Sequence, residues 1–172
     1  KIQDPAKLAR RVQMGGAWGR FMNTLGSATV LNHTSVCESS KKIGMEPTWG
    51  PDIETPDFAN AKYVLNFGSN ILEAAYFHNP LSQRITEGRV ENHAKIVTFD
   101  VRLSNTAGFS DDWIPVFPGT DGAVALAMGH VILREDLQDS EFIETWTNVT
   151  VKELKDHYKQ FTPEWASKIS GV

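Results

Sequence analysis

The chain has 172 residues, of which 41% are hydrophobic and 22% are charged, a balance typical of a globular unit with one substantial core. Its formal net charge is -4 and its basic residues are scattered, which argues against a nucleic-acid partner. Its apolar runs are far shorter than the roughly 18 residues of a membrane span, so we expect no direct membrane insertion. Because the chain begins at Lys1, without a methionine or a signal peptide, we expect a piece of a longer or processed protein.

In chain order, hydrophobic runs and helical spacing predict an alternation of strands and helices. The predicted strands are 28–31, 61–67, 94–100 and 113–117. The predicted helices are 5–25, 35–45, 71–86, 122–135, 139–146, 151–158 and 163–169. Prolines and a glycine predict an irregular segment over 47–56, and polar residues predict a loop over 103–112. Pro80 is expected to kink or divide the helix in which it lies.

Strands that are separated by helices of this length pair in parallel through crossover connections. The pattern therefore predicts an α/β fold, a Rossmann-like parallel sheet with helices on both faces that forms a three-layer sandwich. Helix caps support these boundaries, since Thr162 precedes the last helix and Thr120 or Asp121 precedes the helix over 122–135. In such sheets ligands bind outside the carboxyl ends of the strands, so the residues that follow each strand are candidates for a site.

The residues that follow the four predicted strands have the chemistry of a nucleotide site. In strand order they are Cys37; Gly68, Ser69, Asn70 and Glu73; Asp100 and Arg102; and Gly119, Thr120 and Asp121. A glycine lets the backbone approach a pyrophosphate, and the N-terminus of the next helix offers free N–H groups. Asp100 can accept both hydroxyls of a ribose, and Asp121 can accept from the N1–H and the exocyclic amine of guanine.

Each of these residues also has a purely structural interpretation. Gly-Ser-Asn is a common turn sequence, Asp100 can pair with Arg102 at the surface, and Asp121 can be a plain helix cap. No Gly-x-Gly-x-x-Gly motif follows a strand, which argues against an ordinary nicotinamide or flavin dinucleotide domain. Cys37 is the only cysteine, so it is either a metal-binding thiolate or a small buried hydrophobic residue.

Four segments of the chain resemble the catalytic subunits of the dimethyl sulfoxide reductase family of molybdopterin oxidoreductases. They are 63–73, 94–107, 113–132 and 161–172. They contain Gly-Ser-Asn, Asp-x-Arg and Pro-Gly-Thr-Asp in this order, each directly after a predicted strand. The resemblance covers nearly the whole chain and implies that 1–172 is a single α/β region that binds molybdopterin guanine dinucleotide, a middle portion of a larger catalytic subunit.

The resemblance also implies the cofactor and the role of each candidate residue. The cofactor would be bis(molybdopterin guanine dinucleotide) with molybdenum or tungsten, and Cys37 would be the catalytic metal ligand, since a soft thiolate suits a sulfur-rich centre. The residues after the strand over 61–67 would lie along the phosphates and ribose of one dinucleotide. Asp100 and Arg102 would hold that ribose and neighbouring groups, and the residues after the strand over 113–117 would hold the guanine.

The activity implied is oxygen-atom or sulfur-centred two-electron redox in anaerobic respiration, most similar to the polysulfide, thiosulfate and arsenate reductase branch. Glu38 stands where formate dehydrogenases usually carry a histidine, which argues against that activity. The implied partners are a small anionic or sulfur-containing substrate, an iron–sulfur electron-transfer subunit and the rest of the catalytic subunit, whose upstream part would hold a 4Fe-4S cluster. A periplasmic location is favoured. Two alternatives stay open: a non-catalytic scaffold subunit of the same fold in a respiratory electron-transfer complex, and an unrelated α/β nucleotide-binding domain.

Overall fold

The computed structural model describes residues 16–27, 39–50, 56–73 and 78–172. The chain divides into two compact units, residues 1–55 and residues 56–172. The predicted strand over 28–31 and Cys37 lie outside the described residues. Within the described ranges, no helix has the length and apolar character needed to cross a bilayer. The assignment of 1–172 to one cofactor-binding region stays a prediction.

The first unit contains helix α1, described over residues 16–25, and helix α2, Ser39–Trp49. The prediction that the chain is irregular from Pro47 is wrong, because α2 continues past this residue. The hydroxyl of Thr48 donates to the carbonyl of Gly44 at 3.0 Å, and the N–H of Gly50 donates to the carbonyl of Glu46 at 2.9 Å. These bonds complete the last turn, and Gly50, with φ at +85°, ends it in a left-handed conformation.

The second unit is built on a three-stranded parallel sheet in the order β1-β2-β3. The strands are β1 (Tyr63–Phe67), β2 (Lys95–Asp100) and β3 (Asp112–Pro115). Val64 lies beside Ile96, and Thr98 lies beside Trp113. Three of the four predicted strands are therefore confirmed within two residues at each end, and so is their parallel pairing.

Six helices surround this sheet in the described part of the second unit. They are α3 (His78–Glu91), α4 (Asn105–Phe109), α5 (Asp121–Arg134), α6 (Ser140–Trp146), α7 (Val151–Tyr158) and α8 (Pro163–Ser170). The helix predicted over 71–86 is described over His78–Glu91, and residues 71–73 form a turn. Pro80 is the third residue of this range and lies in its first turn, where no intrahelical N–H is needed.

A further correction concerns the predicted loop over 103–112, which contains the short helix α4. Ser104 is the N-cap of this helix, and its side chain accepts from the N–H of Ala107 at 3.2 Å. Serine is among the preferred N-cap residues because its hydroxyl satisfies an N–H that has no partner within the helix. The signal for this helix was therefore present in the sequence, although most residues of the segment are polar or glycine.

The sheet is covered on both faces. One core cluster consists of Val64, Ile71, Ile85 and Ile96. The other consists of Val97, Phe99, Val116 and Val124. Because successive residues of β2 point to opposite faces, α3 packs on one side through Ile85 and α5 packs on the other through Val124. The predicted three-layer α/β architecture is confirmed. Gly88 permits the approach of α3, since a Cβ there would lie 2.1 Å from the carbonyl oxygen of Phe58.

Helix α8 holds the loop that follows β3. It packs on α5 through alanines, Ala166 against Ala123 and Ala127. Thr162 is its N-cap, as predicted, and accepts from the N–H of Trp165 at 3.2 Å. At its other end, the carbonyl of Ser170 accepts from the N–H of Phe117 at 3.0 Å. Helix α8 therefore supports the loop after β3 at the carboxyl edge of the sheet.

Candidate functional site

Two glycines at the carboxyl edge of the sheet expose their backbone. Gly68 follows β1 with φ at +63°, and Gly119 lies in the loop after β3 with φ at +77°. A Cβ built at either position would meet no atom within 4 Å. The left-handed conformation favours glycine at both places, and the open space above them leaves room for a ligand to approach the main chain.

The turn that follows β1 is fixed by side chains rather than by a helix. Asn66, which is buried in β1, donates to the carbonyl of Ser69 at 2.8 Å. Asn70 donates from its amide to one carboxylate oxygen of Glu73, and Asn105 donates to the other. The predicted residues Asn70 and Glu73 are thus in direct contact, and both oxygens of Glu73 already accept hydrogen bonds from amides.

Asp100 ends the central strand and is only 8% exposed. Its carboxylate accepts from the hydroxyl of Ser104 at 2.9 Å and from the backbone N–H of Arg102 at 3.5 Å. The indole N–H of Trp113 donates to its main-chain carbonyl at 3.0 Å. A carboxylate has roughly four lone-pair sites, so Asp100 keeps the capacity to accept from a ligand.

The guanidinium of Arg102 lies near Glu73, not near the side chain of Asp100. Its Nη2 is 4.0 Å from Oε2 of Glu73, and its side chain is 66% exposed. The alternative that Asp100 simply forms a surface ion pair with Arg102 is therefore wrong. An exposed guanidinium gains little from an ion pair of this length and can pair with an incoming anion.

The loop after β3 contains the three remaining predicted residues. Thr120 occupies the N-cap position of α5, but its hydroxyl donates to the carbonyl of Phe117 at 2.6 Å. Thr120 is therefore at a predicted cap position, but its side chain makes no capping hydrogen bond. Asp121 is instead the first residue of α5, and it is half-buried. The uncapped first turn leaves N–H groups for another partner.

The structure adds residues that the sequence analysis did not single out. Ser104, Asn105, Thr106 and Trp113 contact predicted site residues. The first three form the start of α4, so a Ser N-cap directly after an acidic strand end was the available signal. Their partners are distant in sequence, since Thr106 and Asn70 are 36 residues apart. Local patterns do not encode such contacts.

The predicted metal ligand lies in a part of the chain that the structure does not describe. Cys37 lies outside the described residues, and among the residues that are described no group of three or more His, Cys, Asp or Glu side chains could hold a metal ion. The roles of Cys37 and of the cofactor-binding residues stay predictions.

Comparison with known proteins identifies the family. The profile of the molybdopterin oxidoreductase family matches residues 10–161. Among curated proteins, the arsenate respiratory reductase subunit ArrA of Shewanella sp. is 33% identical, over 89% of this chain and 20% of its own. The thiosulfate reductase subunit PhsA of Salmonella typhimurium is 37% identical, over 86% of this chain and 19% of its own.

A third curated relative is the dimethyl sulfoxide reductase DmsA of Haemophilus influenzae, which is 31% identical over 89% of this chain and 22% of its own. Among solved structures, the acetylene hydratase of Pelobacter acetylenicus matches with a TM-score of 0.74 and 28% identity, over 91% of this chain and 21% of that chain. The chain spans about one fifth of the length of these proteins. On this evidence the chain belongs to the molybdopterin oxidoreductase family.

Proposed function

We propose that residues 56–172 bind the guanine dinucleotide tail of a molybdopterin cofactor at the carboxyl edge of the sheet. The full-length protein is then a molybdenum- or tungsten-dependent oxidoreductase that contains bis(molybdopterin guanine dinucleotide). The observation that supports this most strongly is the family match together with the three loops, after β1, β2 and β3, that meet at one sheet edge. Curated relatives named as arsenate, thiosulfate and dimethyl sulfoxide reductases support oxygen-atom or sulfur-centred redox.

The described residues fit a dinucleotide by their chemistry. At Gly68 and Gly119 no atom lies within 4 Å of a Cβ position, so the backbone there is open to a pyrophosphate. Arg102 supplies an exposed cation for a phosphate. Asp100 accepts from ribose hydroxyls, and Asp121 accepts from the paired donors of a guanine edge, because ionised carboxylates are acceptors only.

Cys37 is proposed as the protein ligand to the metal. A thiolate is the form of cysteine that binds metals, and soft sulfur ligands suit such centres. The bound metal supplies the two-electron redox chemistry, and the protein supplies binding, orientation and electrostatics. The proposal also includes an upstream 4Fe-4S cluster, an iron–sulfur partner subunit and a small anionic or sulfur-containing substrate. It further includes a periplasmic location. These parts of the proposal rest on the family and not on the described residues.

The test is the cofactor content of the full-length protein after anaerobic purification. Metal analysis should find molybdenum or tungsten, oxidation should release a fluorescent pterin, and acid hydrolysis should release guanine nucleotide, with two nucleotides for each metal ion. A protein with neither metal nor pterin would overturn the proposal and favour a scaffold subunit. Metal and pterin without guanine nucleotide would refute the dinucleotide site assigned to this edge.

A further inference from the structure

We propose that Thr106 is a positioning residue of the nucleotide site, which fixes the amide of Asn70 and the turn after β1 in the orientation that meets the ligand. The inference rests on the proposed function and assigns a role to a residue that lies behind the site. Thr106 is fully buried, with 0% of its surface exposed, so it cannot touch a ligand itself. Any effect on binding must pass through its neighbours.

The hydroxyl of Thr106 uses both of its hydrogen-bonding capacities on the turn after β1. It donates to Oδ1 of Asn70 at 2.8 Å and accepts from the N–H of Leu72 at 3.0 Å. Because Oδ1 of Asn70 faces a donor, its Nδ2 faces the opposite way, toward the carboxylate of Glu73. The buried hydroxyl of Thr106 therefore determines that Oδ1 of Asn70 points toward Thr106 and that Nδ2 points toward Glu73.

These contacts are part of a closed ring. Asn70 and Asn105 donate to the two oxygens of Glu73, and Asn105 is the neighbour of Thr106 in α4. The ring joins the turn after β1 to the helix that follows β2. Two adjacent loops of the candidate site are thereby held at a fixed spacing before any ligand arrives, which reduces the ordering cost of binding.

Replacing Thr106 by valine keeps the shape and removes the hydroxyl. It would leave Oδ1 of Asn70 and the N–H of Leu72 without their partner, and polar groups left unpaired in a protein interior are costly. The turn after β1 would then move so that these two unpaired groups can form hydrogen bonds with water. The ligand would then have to order a turn that in the native protein is already in place.

The experiment compares three variants of the full-length protein: Thr106→Val, Thr106→Ser and Thr98→Val. Thr98 is the matched control, because it is also fully buried and its hydroxyl contacts Ser110 at 2.6 Å and Asn66 at 3.3 Å, but not Asn70. Removing this hydroxyl leaves the 2.8 Å bond from Asn66 to the carbonyl of Ser69 in place. The measurements are the rate at which bound guanine nucleotide is lost, hydrogen exchange of residues 68–73 in protein stripped of cofactor, and the melting temperature.

We expect both valine variants to melt at a lower temperature than the native protein. Only Thr106→Val should lose nucleotide faster, by about tenfold, because part of the cost of the two unpaired polar groups falls on ligand binding. It alone should also speed exchange in residues 68–73, and Thr106→Ser should restore both. Native retention and exchange in Thr106→Val, or equal nucleotide loss in Thr98→Val, would overturn the inference. A native protein without guanine nucleotide would instead refute the proposed function, and the inference with it.

Discussion

The carboxylates at the sheet edge differ in burial and in the donors that their oxygens meet. Both oxygens of Glu73 accept from amides, and the guanidinium of Arg102 lies 4.0 Å away. Asp100 is more deeply buried but accepts from one hydroxyl and one backbone N–H. A negative carboxylate beside a phosphate is unfavourable, so Glu73 is better suited to orient its neighbours than to contact the phosphates directly.

Cys37 provides the residue-scale test of metal ligation. In the full-length protein, Cys37→Ser should reduce turnover with arsenate, thiosulfate or dimethyl sulfoxide by at least about a hundredfold, since even indirect partners of a metal ligand are worth 10–100-fold. X-ray absorption at the metal edge should show one sulfur ligand fewer. Guanine nucleotide content should stay at the native level, because the dinucleotide loops lie in other segments. Unchanged turnover with an unchanged sulfur count would rule out ligation.

Single residues were predictable from the sequence where the chain itself imposes a local constraint. Gly68 and Gly119 follow strands, and both have the positive φ that a turn requires. The side-chain partners were not predictable. Glu73 accepts a hydrogen bond from Asn105, which is 32 residues away in the sequence. The hydroxyl of Thr120 donates to the carbonyl of Phe117 instead of capping its helix. Such choices depend on which groups the fold brings together, and composition or spacing does not encode them.

At the scale of elements, buried strands and capped helices were predictable because their signals are local. The apolar runs that form β1 and β2 contain Val64, Ile96 and Val97, all of which are buried. Proline was a weaker guide. Pro47 lies inside α2, where Thr48 and Gly50 complete the turn, and Pro80 lies at the start of α3. A proline in a helix removes one N–H donor and crowds the preceding turn, which disfavours the helix without excluding it.

The first turn of α7 makes a testable case of helix capping. Thr150 and Glu153 form a reciprocal capping box, in which each side chain accepts from the backbone N–H of the other. The N–H of Thr150 and then its hydroxyl hold the pKa of Glu153 below its ordinary value of 4.5. A lowered pKa in the folded state means that the ionised carboxylate stabilises the helix above that ordinary value. This contribution is lost as the pH falls through the folded pKa.

We therefore predict that Glu153→Ala reduces the hydrogen-exchange protection of the first turn of α7 near pH 6.5, by about the effect of one helix cap. The difference from the native protein should shrink as the pH falls below 4.5, when protection is expressed relative to the intrinsic exchange rate. Glu144→Ala is the control, since no described residue forms a hydrogen bond with that side chain. A difference that persists in acid would show that the ionised carboxylate is not the cause.

At the scale of the whole molecule, the parallel topology is what gathers the candidate residues. Gly68, Asp100 and Gly119 are separated by tens of residues, yet each follows a strand of one parallel sheet and so lies at the same edge. This part of the site was predictable, because parallel pairing fixes the edge at which every strand ends. The position of the metal relative to this edge stays a prediction, since Cys37 lies outside the described residues.

If the three loops bind one ligand, cofactor should protect them together. In the full-length protein we predict that hydrogen exchange slows in residues 68–73, 100–106 and 117–121 when cofactor is bound, relative to protein stripped of it. Residues 59–62 and 92–94, which precede β1 and β2 at the opposite edge, are the internal control and should exchange alike in both samples. Ligand-linked stabilisation of the whole fold would slow both edges, whereas direct contact slows only the carboxyl edge. Protection of a single loop, with the other two unchanged, would contradict a shared dinucleotide site, because a tail held by phosphate, ribose and base must contact all three.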